Sequence, residues 1–210
     1  MLKFKVLLLM STIILLGGCA RYNPKALVPL TNKMSLTVKC SKNKPLNNFA
    51  FEYHIFSKSD CLQYLDRNVI SKGYQPIHIT FINNTDRYFY LSPKNFSFPC
   101  VSPAEVADKV HTSTIKRATS YGILALFIPI FIIPAVVDGV NSSNANINLD
   151  MDFERKSLHE KIVKPYEIVN GLIFVPINNF NPIFSFSVYD MNSQEAFLLT
   201  SSKKSFALQE

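Results

Sequence analysis

Apolar and polar residues alternate through much of this chain with the period of a strand. Leu36, Val38 and Cys40 alternate with Ser35, Thr37 and Lys39, which predicts a half-buried strand over 36–40. Lys42 to Asn48 is a turn-rich break, and the aromatic run Phe49 to Phe56 reads as a second strand. Ser59 and Asp60 are placed to cap a short helix carrying Leu62 and Leu65. Gly73-Tyr74-Gln75-Pro76 leads into Ile77-His78-Ile79-Thr80-Phe81-Ile82. There Ile77, Ile79 and Phe81 share one face, and His78 falls on the more polar face, where exposure is expected. Asn83-Asn84-Thr85-Asp86 is a turn signal. Arg87 to Leu91 is expected to return as the second arm of a hairpin. Phe96 to Val101 reads as another strand.

The pattern changes at Ser102-Pro103-Ala104-Glu105. Serine at N-cap, proline at N1 and glutamate at N3 make a capping box, so a helix is predicted from Pro103, burying Val106 and Val110. Asn141 to Asn144 reads as a loop. Ala145 to Glu160 reads as a helix with Leu149 and Phe153 one turn apart. Strands resume at Gly171–Pro176, Ile183–Val188 and Ala196–Thr200. The layout predicts a mainly β fold, an antiparallel immunoglobulin-like β-sandwich with a helical insertion over about 103–160. The competing arrangement is an α+β fold with one antiparallel sheet. The expected organisation is a leader over 1–18, a proline-containing tether over 19–33, a single domain over 34–202 and a tail over 203–210.

Within the insertion, Ala118 to Val137 is a run of twenty residues without a charge. As one helix it would be about 30 Å long, close to the thickness of a bilayer core. Pro129 and Pro134 argue against an unbroken helix, because each removes a helix hydrogen bond. Lys116 and Arg117 before the run and Asp138 after it oppose the positive-inside tendency for a chain anchored outside the cytoplasm. A span would also place the two sets of strands on opposite sides of a membrane, each with open edges. The tract therefore reads as two short pieces hinged near Pro129–Pro134. Three fates stand open for it: burial in the domain, contact with lipid or a partner through Leu124, Phe127, Ile128, Phe131 and Ile132, or a true span.

The chain starts with Lys3 and Lys5, followed by the mostly apolar run Val6 to Leu16 and then Gly17-Gly18-Cys19. Basic start, apolar core and small residues are the layout of a secretory signal. Eleven core residues are short for a span. Leu16-Gly17-Gly18-Cys19 resembles the lipobox of bacterial lipoproteins. That resemblance implies export, cleavage before Cys19, and diacylglycerol on the Cys19 thiol with acylation of its amine. Several chains give stable anchoring where one gives marginal binding. Ala20 follows, where an aspartate commonly signals inner-membrane retention, so the pattern resembles the outer-membrane class facing the periplasm if the host is Gram-negative. Segments Gly73–Asn84, Ser102–Gly122, Pro134–Ser157 and Asn170–Pro176 also resemble uncharacterised bacterial envelope lipoproteins, a resemblance that carries no activity with it. The partners implied are the bilayer, through acylated Cys19, and an envelope protein.

Composition adds little chemistry. The formal net charge is +7, and cleavage would lower it by two through Lys3 and Lys5. The charge is dispersed, without an arginine-rich stripe, so no nucleic-acid partner is expected. With Cys19 assigned to lipid, Cys40, Cys61 and Cys100 remain. An oxidising envelope permits one disulfide, for which Cys40–Cys61 closes the shortest loop, and three buried thiols is the equal alternative. None of the cysteine spacings is that of a zinc site. No two of His54, His78, His111 and His159 lie at ligand spacing, and His159-Glu160 lacks the second histidine of a zincin helix. No Gly-x-Ser-x-Gly elbow occurs. Asp150, Asp152 and Glu154 fall on different sides of a helix and read as a solvated face. No catalytic residue, metal site or cofactor beyond the lipid on Cys19 is assigned. The expectation is a non-enzymatic binding or scaffolding lipoprotein. The competing readings are a membrane-integrated component of a transport or secretion assembly, and a hydrolase whose His78 or His111 meets a carboxylate and a nucleophile in a cleft.

Overall fold

A computed structural model describes residues 21–30, 34–35, 37–40, 49–112 and 132–201, with side chains described over 21–30, 50–112 and 140–201. The chain divides into two compact units, one of residues 1–23 with 111–152 and one of 24–110 with 153–210.

The larger unit carries two antiparallel sheets. The first has the order β1 (Met34–Ser35), β3 (Phe49–Ile55), β4 (Tyr74–Asn83), β7 (Ile168–Pro176). The second has the order β2 (Thr37–Cys40), β9 (Ala196–Thr200), β8 (Ser185–Asp190), β5 (Phe89–Leu91), β6 (Lys161–Val163). Both sheets feed one core. Phe51, Tyr53, Ile77, Ile79 and Phe81 come from the first, and Phe89, Leu91, Phe186, Val188, Phe197 and Leu199 from the second. Aromatic rings make the junction: Phe51 lies 5.0 Å from Phe186, Tyr53 5.2 Å from Phe184 and Phe81 5.7 Å from Phe89 between ring centroids. Each such pair is worth about 0.5–1.5 kcal/mol beyond the area it buries. The fold is thus a mixed, sandwich-like α+β arrangement with two sheets, and the single-sheet alternative is set aside.

Several local expectations change. The strand expected over 36–40 is β2, which pairs with β9, and the short β1 before it pairs with β3 in the other sheet. The turn at Asn83–Asp86 is real but closes no hairpin. β4 already has β3 and β7 on its two edges, so β5 joins β8 and β6 in the opposite sheet. The buried Asn83 side chain holds this arch, donating to the carbonyls of Arg87 and Lys164 and accepting from the backbone N–H and hydroxyl of Thr85. The strand expected over 96–101 is reduced to two isolated bridges, Phe96 to Phe186 and Val101 to Phe174, which belong to different sheets. β6 had no signal of its own in the alternation.

The outer face of the first sheet is covered. Helix α1 (Lys58–Leu65) is capped by Ser57, whose hydroxyl accepts from the Asp60 N–H while Asp60 accepts from the Ser57 N–H. The cap thus lies two residues before the expected Ser59. Cys61 and Leu65 face inward, and Leu62 is exposed. Within the stretch read as a tether, the Lys25 N–H donates to the Gln63 carbonyl and the Leu30 N–H to the Thr80 hydroxyl. Residues 24–30 therefore run along the sheet as a strap. His78, expected exposed, is buried at 3 % for that reason: strap and helix close the polar face of β4 over it.

Helix α2 (Pro103–Val110) begins where Ser102 and Pro103 predict, and buries Val106, Ala107 and Val110. The Glu105 N–H donates to the Ser102 hydroxyl, while its carboxylate accepts from the Tyr74 hydroxyl. Helix α3 (Ile132–Lys156) is longer than expected, running through the loop read at Asn141–Asn144 and ending before Glu160. Ala145, Leu149 and Phe153 are buried. Among the described residues, no helix is long and apolar enough to cross a membrane. The hinge expected near Pro129, and contact residues Leu124, Phe127, Ile128 and Phe131, lie outside the described residues. Ile132 is the first residue of α3.

Candidate functional site

The most site-like feature of the larger unit is a cleft of about 510 Å³ on the open flank of β7. Both walls are pinned to that strand two residues apart. On one side the Val101 N–H donates to the Phe174 carbonyl at 2.9 Å, fixing the loop 98–103. On the other the Leu158 N–H donates to the Leu172 carbonyl at 2.8 Å, fixing 157–160. Gly171 makes the second approach possible. A β-carbon there would stand 2.8 Å from the Leu158 nitrogen and 2.9 Å from its α-carbon, both backbone atoms. Phe174, which lines the cleft, stacks on Phe153 of α3 at 5.6 Å and 7°. The cleft is therefore preformed, and its volume lies in the range of about 300–1,000 Å³ found for small-molecule sites.

Its interior is apolar: Phe98, Pro99, Cys100, Val101, Leu158 and Phe174 are among its walls. Burial pushes the Cys100 thiol up to about 12, so at neutral pH it is a small apolar surface and a poor nucleophile. One polar cluster sits at the rim. Glu160 accepts from the Tyr90 hydroxyl, from Lys94 Nζ at 3.4 Å and from the Ser92 hydroxyl at 3.4 Å. The bonds from Tyr90 and Lys94 hold its carboxyl below the usual carboxylate range. His159 is turned to the end of α3, with Nε2 2.7 Å from the Glu154 carbonyl.

The expected residues are dispersed. His54 and His78 face each other across β3 and β4 and line a separate cavity of about 130 Å³ beneath the strap. His54 Nε2 lies 3.1 Å from Asp60 Oδ2, the same oxygen that accepts from the Ser57 hydroxyl. Burial opposes ionisation of Asp60, but the bonds from Ser57 and the neighbouring His54 outweigh it and hold the carboxyl low. In that order the carboxylate stands between serine and histidine, so the imidazole is not aimed at the hydroxyl as in a serine–histidine–aspartate triad. In the smaller unit, His111 Nε2 lies 2.6 Å from Asp150 Oδ1 and the Tyr22 hydroxyl donates to Asp152. Two of the three carboxylates read as a solvated face thus have specific partners. Neither His78 nor His111 lines the larger cleft. Among the described residues, no group of three or more His, Cys, Asp or Glu side chains could hold a metal ion.

Cys61 and Cys100 are free thiols, so the Cys40–Cys61 bridge is not formed. Cys61 is buried on α1, over the first sheet, whereas Cys40 lies on β2 of the second. Burial pushes the Cys61 thiol up to about 11. Leu16, Gly17, Gly18 and Cys19 lie outside the described residues. Sequence reasoning missed the cleft because its walls come from segments far apart in the chain; the one available signal was Gly171, read only as the start of a strand. No family model matches this chain, and comparison with curated proteins and with solved structures finds no similar one.

Proposed function

We propose that this protein is a lipid-anchored module of the cell envelope that binds a ligand or scaffolds a partner without chemistry of its own. The observation that carries the anchor is the N-terminal order of basic residues, apolar core and Leu16-Gly17-Gly18-Cys19. Cleavage before Cys19 and its acylation put the module on a membrane surface, on the periplasmic face of the outer membrane in a Gram-negative host. Binding rather than catalysis is supported by the preformed apolar cleft, whose cysteine stays protonated and whose rim charges pair with each other.

The finer fold within this reading is an immunoglobulin-like sandwich. Its support is topological. β4 crosses to β5 and β7 crosses to β8 between sheets, and β5, β8 and β9 are neighbours, as in the three-stranded sheet of that group. β3, inserted between β1 and β4, is a departure from it.

The test is the intact mass of the mature protein from membranes. A mass starting at Cys19 plus acyl chains is expected, and Cys19→Ser should accumulate uncleaved precursor. An unchanged mature mass in that variant overturns the anchor. Replacing residues 1–19 with a cleavable soluble signal should release the chain on carbonate extraction. Retention would instead favour a membrane-integrated component with 118–137 in the bilayer.

A further inference from the structure

We infer that the outward face of α3 is a self-association seam, on which a second copy of this chain pairs in parallel register through Val140, Asn144, Ile147 and Met151. The inference is separate from the cleft and does not rest on acylation at Cys19.

α3 is apolar on two opposite sides. Ala145 and Leu149 are buried together with Ser142 on one side. On the other, Val140, Ile147 and Met151 are each more than half exposed, at 55, 53 and 51 %, and the exposed Asn144 lies between them. A single exposed aliphatic residue is ordinary on a protein surface, but a row of them along one helix face marks a contact. The spacing of the row identifies the kind of contact. Positions 140, 144, 147 and 151 are separated by four, three and four residues, and Ile133 and Val137 continue the alternation toward the start of the helix. That is the a and d pattern of a heptad, with Val137, Asn144 and Met151 at a, and Ile133, Val140 and Ile147 at d. Over about 27 Å of helix, the drift between 3.6 and 3.5 residues per turn leaves the seam facing one way.

The residues in and beside the seam select a second copy as its occupant. In a parallel pair a faces a and d faces d, so each seam residue meets its own counterpart and one sequence supplies both surfaces. Asn144 is the single polar a residue that such pairs use to fix register, its amide both donating to and accepting from the amide of the other copy. Asp150 falls at g, and Arg155 at the e position five residues on. A parallel pair therefore sets the Asp150 carboxylate of one copy against the Arg155 guanidinium of the other, twice by symmetry. Both residues are exposed. Asp150 meets His111 through Oδ1, and its carboxylate has lone pairs left. Glu154 takes the next d position, where it meets its own charge, and ends the seam. A lipid surface fits less well. No Lys or Arg lies between Ala118 and Glu154, whereas helices that lie on membranes carry them along the polar face.

The experiment uses the purified full chain in mild detergent, with single cysteines placed on the seam and oxidised by copper phenanthroline. The wild-type chain sets the background from its own cysteines. Val140→Cys and Met151→Cys, at opposite ends of the exposed seam, are each expected to form disulfide dimers, because facing a or d residues of a parallel pair come within disulfide reach. Leu62→Cys, exposed on α1, should stay at background. Adding Ile147→Lys, at an exposed position, should return both seam variants to background with an unchanged thermal transition. By sedimentation equilibrium, Arg155→Glu should weaken the wild-type dimer about two- to tenfold, the worth of two exposed ion pairs. Dimers from neither seam variant, or equal dimers from Leu62→Cys, overturn the inference. So do seam dimers that survive Ile147→Lys. Disulfides formed only when the Val140→Cys and Met151→Cys chains are mixed overturn the parallel register in favour of an antiparallel pair. No effect of Arg155→Glu overturns the pairing of Asp150 with Arg155.

Discussion

At the residue scale, single groups hold more than their side chains suggest. Asp190 is fully buried and accepts from Arg87 at 2.7 Å and from the backbone N–H groups of Asn192 and Ser193. Burial alone would raise its pKa; the hydrogen bonds outweigh that and hold it below the ordinary value. Its contribution to stability is therefore present above the unfolded carboxylate pKa, about 4, and is lost as pH falls through the lower folded value. Urea midpoints between pH 6 and pH 2 should show this fall, and Asp190→Asn should flatten it. Arg87→Met should cost about 1–2 kcal/mol at pH 7, less than a fully buried pair because Arg87 is partly solvated. Gly171→Ala tests the cleft wall. Its β-carbon meets the backbone of Leu158, so the 157–160 segment must move, at a cost of about 1–3 kcal/mol in thermal denaturation.

At the element scale, the helices act as covers for the first sheet. Phe153 on α3 stacks on Phe174, and Lys156 in the same last turn donates to the Tyr64 carbonyl of α1 at 2.6 Å. Phe153→Ala should cost about 3–5 kcal/mol by urea denaturation. Ser57→Ala removes the α1 cap and should cost about 1 kcal/mol. The arch between β4 and β5 is the element the chain pattern misassigned. Alternation identifies strands and turns, but a turn of that composition serves a hairpin or a sheet crossing equally well. The choice was made by β7, distant in the chain, which takes the β4 edge that β5 would have used. Asn83→Ala should then cost about 2–3 kcal/mol, because the carbonyls of Arg87 and Lys164 lose their donor.

At the scale of the whole molecule, the strap closes one face of the larger unit. Residues 24–30 lie along the first sheet. The Leu30 side chain is buried at 6 % exposure, and the bond from its N–H to Thr80 closes the polar face above His54 and His78. Leu30→Asp places a charge there and should make the strap the first site of limited proteolysis, with the core transition shifted less. Equal protease resistance in variant and wild type would mean that the strap is held by something other than Leu30.

The chain by itself determined most of its strands, the start of α2, the inward sets Ile77, Ile79, Phe81 and Leu149, Phe153, and the basic, apolar and small-residue order of its N-terminus. These are local properties, set by side-chain period, capping chemistry and the order of charge and apolarity. Tertiary structure alone decided that β1 and β2, neighbours in the chain, join different sheets, that β4 and β5 part company, that His78 is buried, and that Cys61 keeps its thiol. It also made the cleft, from loops about sixty residues apart that meet on β7. Edge pairing and face covering depend on which distant segments compete for the same strand, and that competition leaves no periodic trace in the sequence.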